Sequence, residues 1–194
     1  SLMILVTLVV GVAAGIFLPT DISAIFDKAS SVMFLLMLFS VGIDMGHNKE
    51  VFGQIKRLGL RVLLIPVSIV AGSLFSGIVC AILLRMPLKD GLAIVSGLGW
   101  YSLSGILLTE AGSAVNGTIS FLSNVFREVI TFIVVPLIAL RLNYPTAIAP
   151  AGATYMNTTL GIISKHTDSE TAVLAFVNGA VLTILIPFLV PLFL

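Results

Sequence analysis

Asn124, Arg127 and Glu128 interrupt a stretch that is otherwise apolar from about residue 119 to residue 140. A carboxylate or a guanidinium at that depth in a bilayer costs roughly 2.5–3.5 kcal/mol on insertion scales. Such groups persist where they face protein or water, so an intramembrane acid is a candidate for moving an ion or a polar solute. Ser120, Asn124 and Glu128 recur at intervals of four, with Thr131 three further on, which puts them on one helix face. Arg127, next to Glu128 in sequence, points about 100° away and is not expected to pair with it within the helix. The competing reading is a buried network of Arg127 and Glu128 with other segments that only fixes packing.

The elements that must position these groups follow from composition. Of 194 residues, 58% are hydrophobic and 10% charged, with mean hydropathy +1.18. Soluble domains carry about 25% charged residues and cannot hide so much apolar surface in a small core. The chain is expected to be all-α, a polytopic helical membrane protein forming a single transmembrane domain over residues 1–194. A net charge of +1 offers no basic field for nucleic acid. The single Cys80 excludes a disulfide within the chain.

At about 20 residues per span, the pattern gives seven segments: 2–18, 29–45, 58–84, 91–108, 119–140, 147–164 and 172–194. Lys and Arg in the connections number five on one side and four on the other. The cluster of Lys49, Lys56, Arg57 and Arg61 orients the N-terminus inside. Segments four and six differ from ordinary spans. Segment four carries Ser96-Gly97-Leu98-Gly99-Trp100-Tyr101-Ser102, and segment six carries Pro150-Ala151-Gly152-Ala153-Thr154-Tyr155-Met156-Asn157. Small and hydroxylated residues in mid-span, with a proline that removes a backbone donor, predict discontinuous helices lining a cavity. The alternative is close packing of intact helices through small residues.

By the helical rise, Trp100, Glu128, Asn157 and Asn178 all lie roughly 9–15 Å into their segments, near the middle of a hydrocarbon core about 30 Å thick. Four segments placing a polar or aromatic group at one depth predict a site, and substrate and ion sites of secondary transporters sit there. Asn178 taken alone reads first as an interhelical hydrogen-bonding group, and the depth of Trp100 and Tyr101 argues against the alternative of belt residues at the interface. Asp44 is most simply part of a solvated loop, from which it can still reach a cavity.

Enzymatic chemistries lack their parts. Ser102-Leu103-Ser104-Gly105 faintly resembles the serine motif of rhomboid-type proteases, but both histidines, His47 and His166, fall in connections. No His/Cys spacing suits zinc, and no glycine-rich loop precedes Lys-Ser or Lys-Thr. No cofactor is expected.

The stretch from Gly97 through Glu110, the run Phe126-Arg127-Glu128-Val129-Ile130, and Gly152-Ala153-Thr154 followed by Met156 resemble the bacterial lysine exporter family LysO. The resemblance covers nearly the whole chain and is highly specific through segment four. It implies export of L-lysine and its toxic analogue thialysine across the bacterial inner membrane, with two acidic residues inside the membrane. One falls on Glu128. The other position is Asn157 here, and an amide can neither carry a proton nor neutralise an ammonium group, so Asp44 is a candidate for the missing charge. The family's single-chain members begin with about three more membrane segments, which implies a separate N-terminal subunit or a homodimer.

The expected mechanism is proton-coupled antiport, with Glu128 holding the substrate ammonium and a proton in turn. Gly97, Gly99, Ser102, Gly152 and Thr154 frame the unwound backbone that would take the substrate carboxylate. Trp100 and Tyr101 offer aromatic faces, and Asn124, Asn157 and Asn178 offer hydrogen bonds. The alternatives are a sodium- or proton-coupled carrier of another organic solute, such as an anion held by Arg127, and a non-transporting subunit that stabilises a partner.

Overall fold

The computed structural model describes residues 59–194 continuously, together with scattered positions between 6 and 43. The chain divides into two compact units, Ser1–His47 and Asn48–Leu194. In the first, the described positions are helical, and Val10, Met33 and Phe39 are exposed. Asp44 lies outside the described residues. In the second, no strand occurs among the described residues.

A 3-10 turn, Leu60–Leu63, leads into α1, Leu64–Leu84. Pro66 is accommodated in the first turn, where no intrahelical N–H bond is required. Arg85 adopts a left-handed conformation and Met86 N–H returns to Ala81 O at 3.0 Å, which closes the helix. Pro87 then starts α2, Leu88–Val95, folded back on α1. The two helices touch through small residues: a Cβ on Gly91 would sit 2.7 Å from Ala81 Cβ and 2.9 Å from Gly77 O.

After the turn at residues 96–100 comes α3, Tyr101–Glu110. Ser113, whose hydroxyl accepts from Asn116 N–H at 3.2 Å, caps the long α4, Ala114–Arg141. Tyr101 meets Phe121 edge-on between α3 and α4, with ring centroids 5.5 Å apart. Residues 142–159 contain only two short 3-10 pieces, Pro145–Ile148 and Gly152–Met156. Then follow α5, Leu160–His166, and α6, Ser169–Leu189, the latter capped by Asp168 accepting from Thr171 N–H at 2.8 Å.

Residues 91–108 thus fall on α2, the turn at 96–100 and α3, and residues 147–164 on the two 3-10 pieces and α5. Among the described residues, three stretches are long and apolar enough to cross a membrane, Leu64–Leu84, Ala114–Arg141 and Ser169–Phe193. Phe126, Ile130, Ile133 and Leu137 form an exposed apolar stripe on α4, the surface a bilayer would cover. The opposite stripe, Ser120, Asn124, Glu128, Thr131 and Val135, is buried. A cluster of Val135, Ala147, Ile148, Ala151, Tyr155, Ile163 and Ala175 packs the irregular segment against α4 and α6. Its one hydroxyl is satisfied: Tyr155 donates to Ala147 O at 2.6 Å.

Candidate functional site

The polar face of α4 is occupied by backbone. Asn124 Oδ1 accepts from Gly99 N–H at 2.8 Å, and its Nδ2 donates to Ser120 O at 2.9 Å. Ser120 Oγ lies 3.0 Å from both Ile94 O and Ser104 Oγ, while Ser104 Oγ donates to Trp100 O at 2.9 Å. One face of α4 therefore supplies a partner for Gly99 N–H in the turn at 96–100 and for Ile94 O just before it, while α3 supplies one for Trp100 O.

Arg127 does the same for the other irregular segment. Its Nε donates to Pro150 O at 2.7 Å and its Nη2 reaches Ala149 O at 3.4 Å, while Nη1 lies 3.5 Å from Ser73 Oγ on α1. Pro150 thus matters through its carbonyl as well as through its missing donor. Among the described residues no carboxylate pairs with this guanidinium, so carbonyl dipoles meet its charge.

The two irregular segments also meet each other. Ala153 N–H donates to Leu98 O at 2.9 Å. Leu98 reaches that position with φ 46°, Gly99 with 108° and Gly152 with 64°. A Cβ on Gly99 would lie 2.6 Å from Ala151 O, and one on Gly152 would overlap Leu98 O. Both glycines are thus required by conformation and by space. Leu98 has no such freedom, and its left-handed backbone costs roughly 1–2 kcal/mol. Its side chain is completely buried, worth about 1.5–3 kcal/mol, which offsets that cost.

Several expected site residues therefore join in one network: Gly97 and Gly99 with Asn124, Gly152 with Arg127, and Asn178, whose Nδ2 approaches Gly152 O at 3.4 Å. Thr154 is buried beside them, bonding Ala151 O at 3.1 Å and lying 2.9 Å from Thr159 Oγ1. Asn178 is fully buried, and its Oδ1 has no partner among the described residues. Glu128, 4% exposed, lies one turn beyond Asn124 on the same face. Trp100, Tyr101 and Ser102 are half-buried at the start of α3. Asn157 is exposed, its Oδ1 turned back onto Thr158 N–H at 2.6 Å.

A cleft of about 470 Å³ opens beside Arg127, between α1 and α4. Ser68, Gly72 and Ser76 line it at four-residue intervals, with Ser73 next to them and Ser123 opposite. These serines are not among the residues singled out from the sequence. Their recurrence along one face of an apolar helix is the signal that marks them.

Apolar helices of spanning length around a buried polar centre define a helical membrane protein. The chain belongs to the lysine exporter LysO family, which it matches over residues 5–194. It is 37% identical to the lysine exporter LysO of Escherichia coli (strain K12) over 166 residues, 86% of this chain and 55% of that protein. It is 35% identical over 173 residues to a Haemophilus influenzae protein named "Putative lysine exporter", covering 87% of this chain and 86% of the relative. The chain thus spans about half the length of the E. coli relative. No solved structure matches it.

Proposed function

We propose that this chain is the transporting part of a secondary exporter of L-lysine and analogues such as thialysine in the bacterial inner membrane, working alone, with a companion subunit or as a homodimer. Membership of the lysine exporter family supports the substrate. The observation that carries the mechanism is the buried Glu128 carboxylate, on the same α4 face as the asparagine that holds the turn at Gly99.

A carboxylate removed from water needs a proton or a cation to offset its desolvation. Glu128 alternates between the two, so that inward proton movement expels the lysine cation. The turns at 96–100 and 150–153 act as the unwound parts of discontinuous helices, the arrangement that frames substrate sites in secondary transporters. Asp44 supplies the second acid in place of Asn157.

Growth of an exporter-deficient strain on thialysine tests the reading. The chain, alone or together with its companion subunit, should restore resistance, and Glu128→Gln should abolish it with the protein still in the membrane. Asp44→Asn should weaken it. Full resistance with Glu128→Gln would remove the carboxylate from the mechanism, and full resistance with Asp44→Asn would remove the compensation.

A further inference from the structure

The crossing of the two irregular segments offers a solute carboxylate few backbone donors. Leu98, Gly99 and Trp100 N–H are taken by Val95 O, Asn124 Oδ1 and Gly97 O at 3.2, 2.8 and 2.7 Å, and Ala153 N–H by Leu98 O at 2.9 Å. A carboxylate expected there must find its donors elsewhere, and the cleft beside Arg127 has them.

Three of the five guanidinium N–H groups reach Pro150 O, Ala149 O and Ser73 Oγ. One N–H on each of Nη1 and Nη2 is left without an acceptor among the described residues, and arginine meets a carboxylate with such paired donors. Ser73 Oγ receives Nη1 at 3.5 Å, and its own proton goes to none of the described residues. Both side chains line the 470 Å³ cleft, a volume within the roughly 300–1,000 Å³ of small-molecule sites. Beside Ser73 the space is open, since a Cβ on Gly72 would meet nothing within 4 Å. Arg127 is the one charged residue of the lining among the described residues.

Depth narrows the choice of anion. Arg127 stands in the middle of α4, Ala114–Arg141, roughly 20 Å from either end, and Ser73 near the middle of α1, roughly 14–16 Å from its ends. Lipid phosphates lie outside a hydrocarbon core about 30 Å thick, out of reach of a guanidinium at its centre. An anion that meets Arg127 there comes with a solute.

We infer that Arg127 and Ser73 form the carboxylate subsite of the transported solute. The choice of lysine as that solute rests on the export reading. The same guanidinium holds the carbonyls of Ala149 and Pro150, so a carboxylate bound at its open edge is fastened, through one side chain, to the irregular segment.

Thiol protection in phosphatidylcholine vesicles holding the full chain, with its companion subunit where export requires one, tests the subsite. Ser76→Cys, one turn beyond Gly72 on the cleft wall, would be labelled in a Cys80→Ala background with a sulfonate-bearing methanethiosulfonate. L-Lysine and ε-aminocaproate, which keeps the carboxylate and the terminal ammonium, should both slow labelling. Cadaverine, which lacks the carboxylate, should protect about tenfold or more weakly, the scale of one lost charge-assisted hydrogen bond. Adding Ser73→Ala should raise the half-protecting lysine concentration about tenfold and leave the cadaverine value unchanged, a split that a merely structural role would not give. Failure of the thiol to label, equal protection by cadaverine, no effect of Ser73→Ala, or protection by phosphatidylglycerol without solute would overturn the subsite. Thialysine resistance without carboxylate-dependent protection would sink the subsite alone. Carboxylate-dependent protection in a chain that confers no resistance would uphold it and sink the export reading.

Discussion

Asn124 and Arg127, three residues apart on one helix, each hold a different stretch of non-helical backbone: the amide takes Gly99 N–H at 2.8 Å, the guanidinium takes Pro150 O at 2.7 Å. The side chains that first suggested chemistry are thus partly engaged in holding the breaks. Glu128, the next residue, is buried on the same face as Asn124.

Replacing Asn124 by Ala leaves the buried Gly99 N–H without its acceptor. The cost of such an orphan is about 1–3 kcal/mol. Thermal unfolding in detergent should show a lowered midpoint for Asn124→Ala.

Arg127→Lys retains the charge and loses the fork. An ammonium is a point donor and cannot reproduce planar contact with Pro150, Ala149 and Ser73 together. Both Arg127→Lys and Arg127→Met should reduce the folded fraction recovered from membranes, read by size-exclusion chromatography, with Arg127→Met the more severe.

Two glycine replacements should move stability in opposite directions. Gly152→Ala drives a methyl group into Leu98 O at a positive φ and should destabilise by more than about 1 kcal/mol. Gly161 lies in α5 with open space where a Cβ would stand, nothing coming within 4 Å of it. Gly161→Ala should therefore gain up to about 1 kcal/mol. Paired melting curves check both signs.

The cap of α6 gives a pH dependence. Hydrogen bonds from the Thr171 side chain and N–H hold the Asp168 carboxyl below its ordinary range. A depressed folded value means the contribution is present above the unfolded pKa of about 3.9 and is lost as pH falls through the folded value. Native protein should therefore lose stability more steeply below about pH 4 than Asp168→Asn, a small difference because the group is exposed.

Much of this was legible in the sequence. The four-residue spacing of Ser120, Asn124 and Glu128 marked the buried face of α4 because helix geometry leaves few other outcomes. Glycine and proline marked the places where regular helix stops at 96–100 and 150–153. The contact between those places was not legible. It depends on Leu98, a residue with no local tendency toward a left-handed backbone, taking that conformation because the burial of its side chain outweighs the strain. Arg127 was similarly opaque: its spacing excluded Glu128 as an intrahelical partner but could not select carbonyls 22 and 23 residues away.

The crossing of the two irregular segments limits how this molecule can move. Leu98 O is committed to Ala153 N–H, and Gly99 and Gly152 press on the opposing main chain without a side chain between them. Such a rivet has no slack: a rotation that shifts one strand of the crossing by the width of a methyl group must carry the other with it. Residues 96–100 and 150–153 therefore travel as one piece, and hinges must be sought at the ends of the flanking helices.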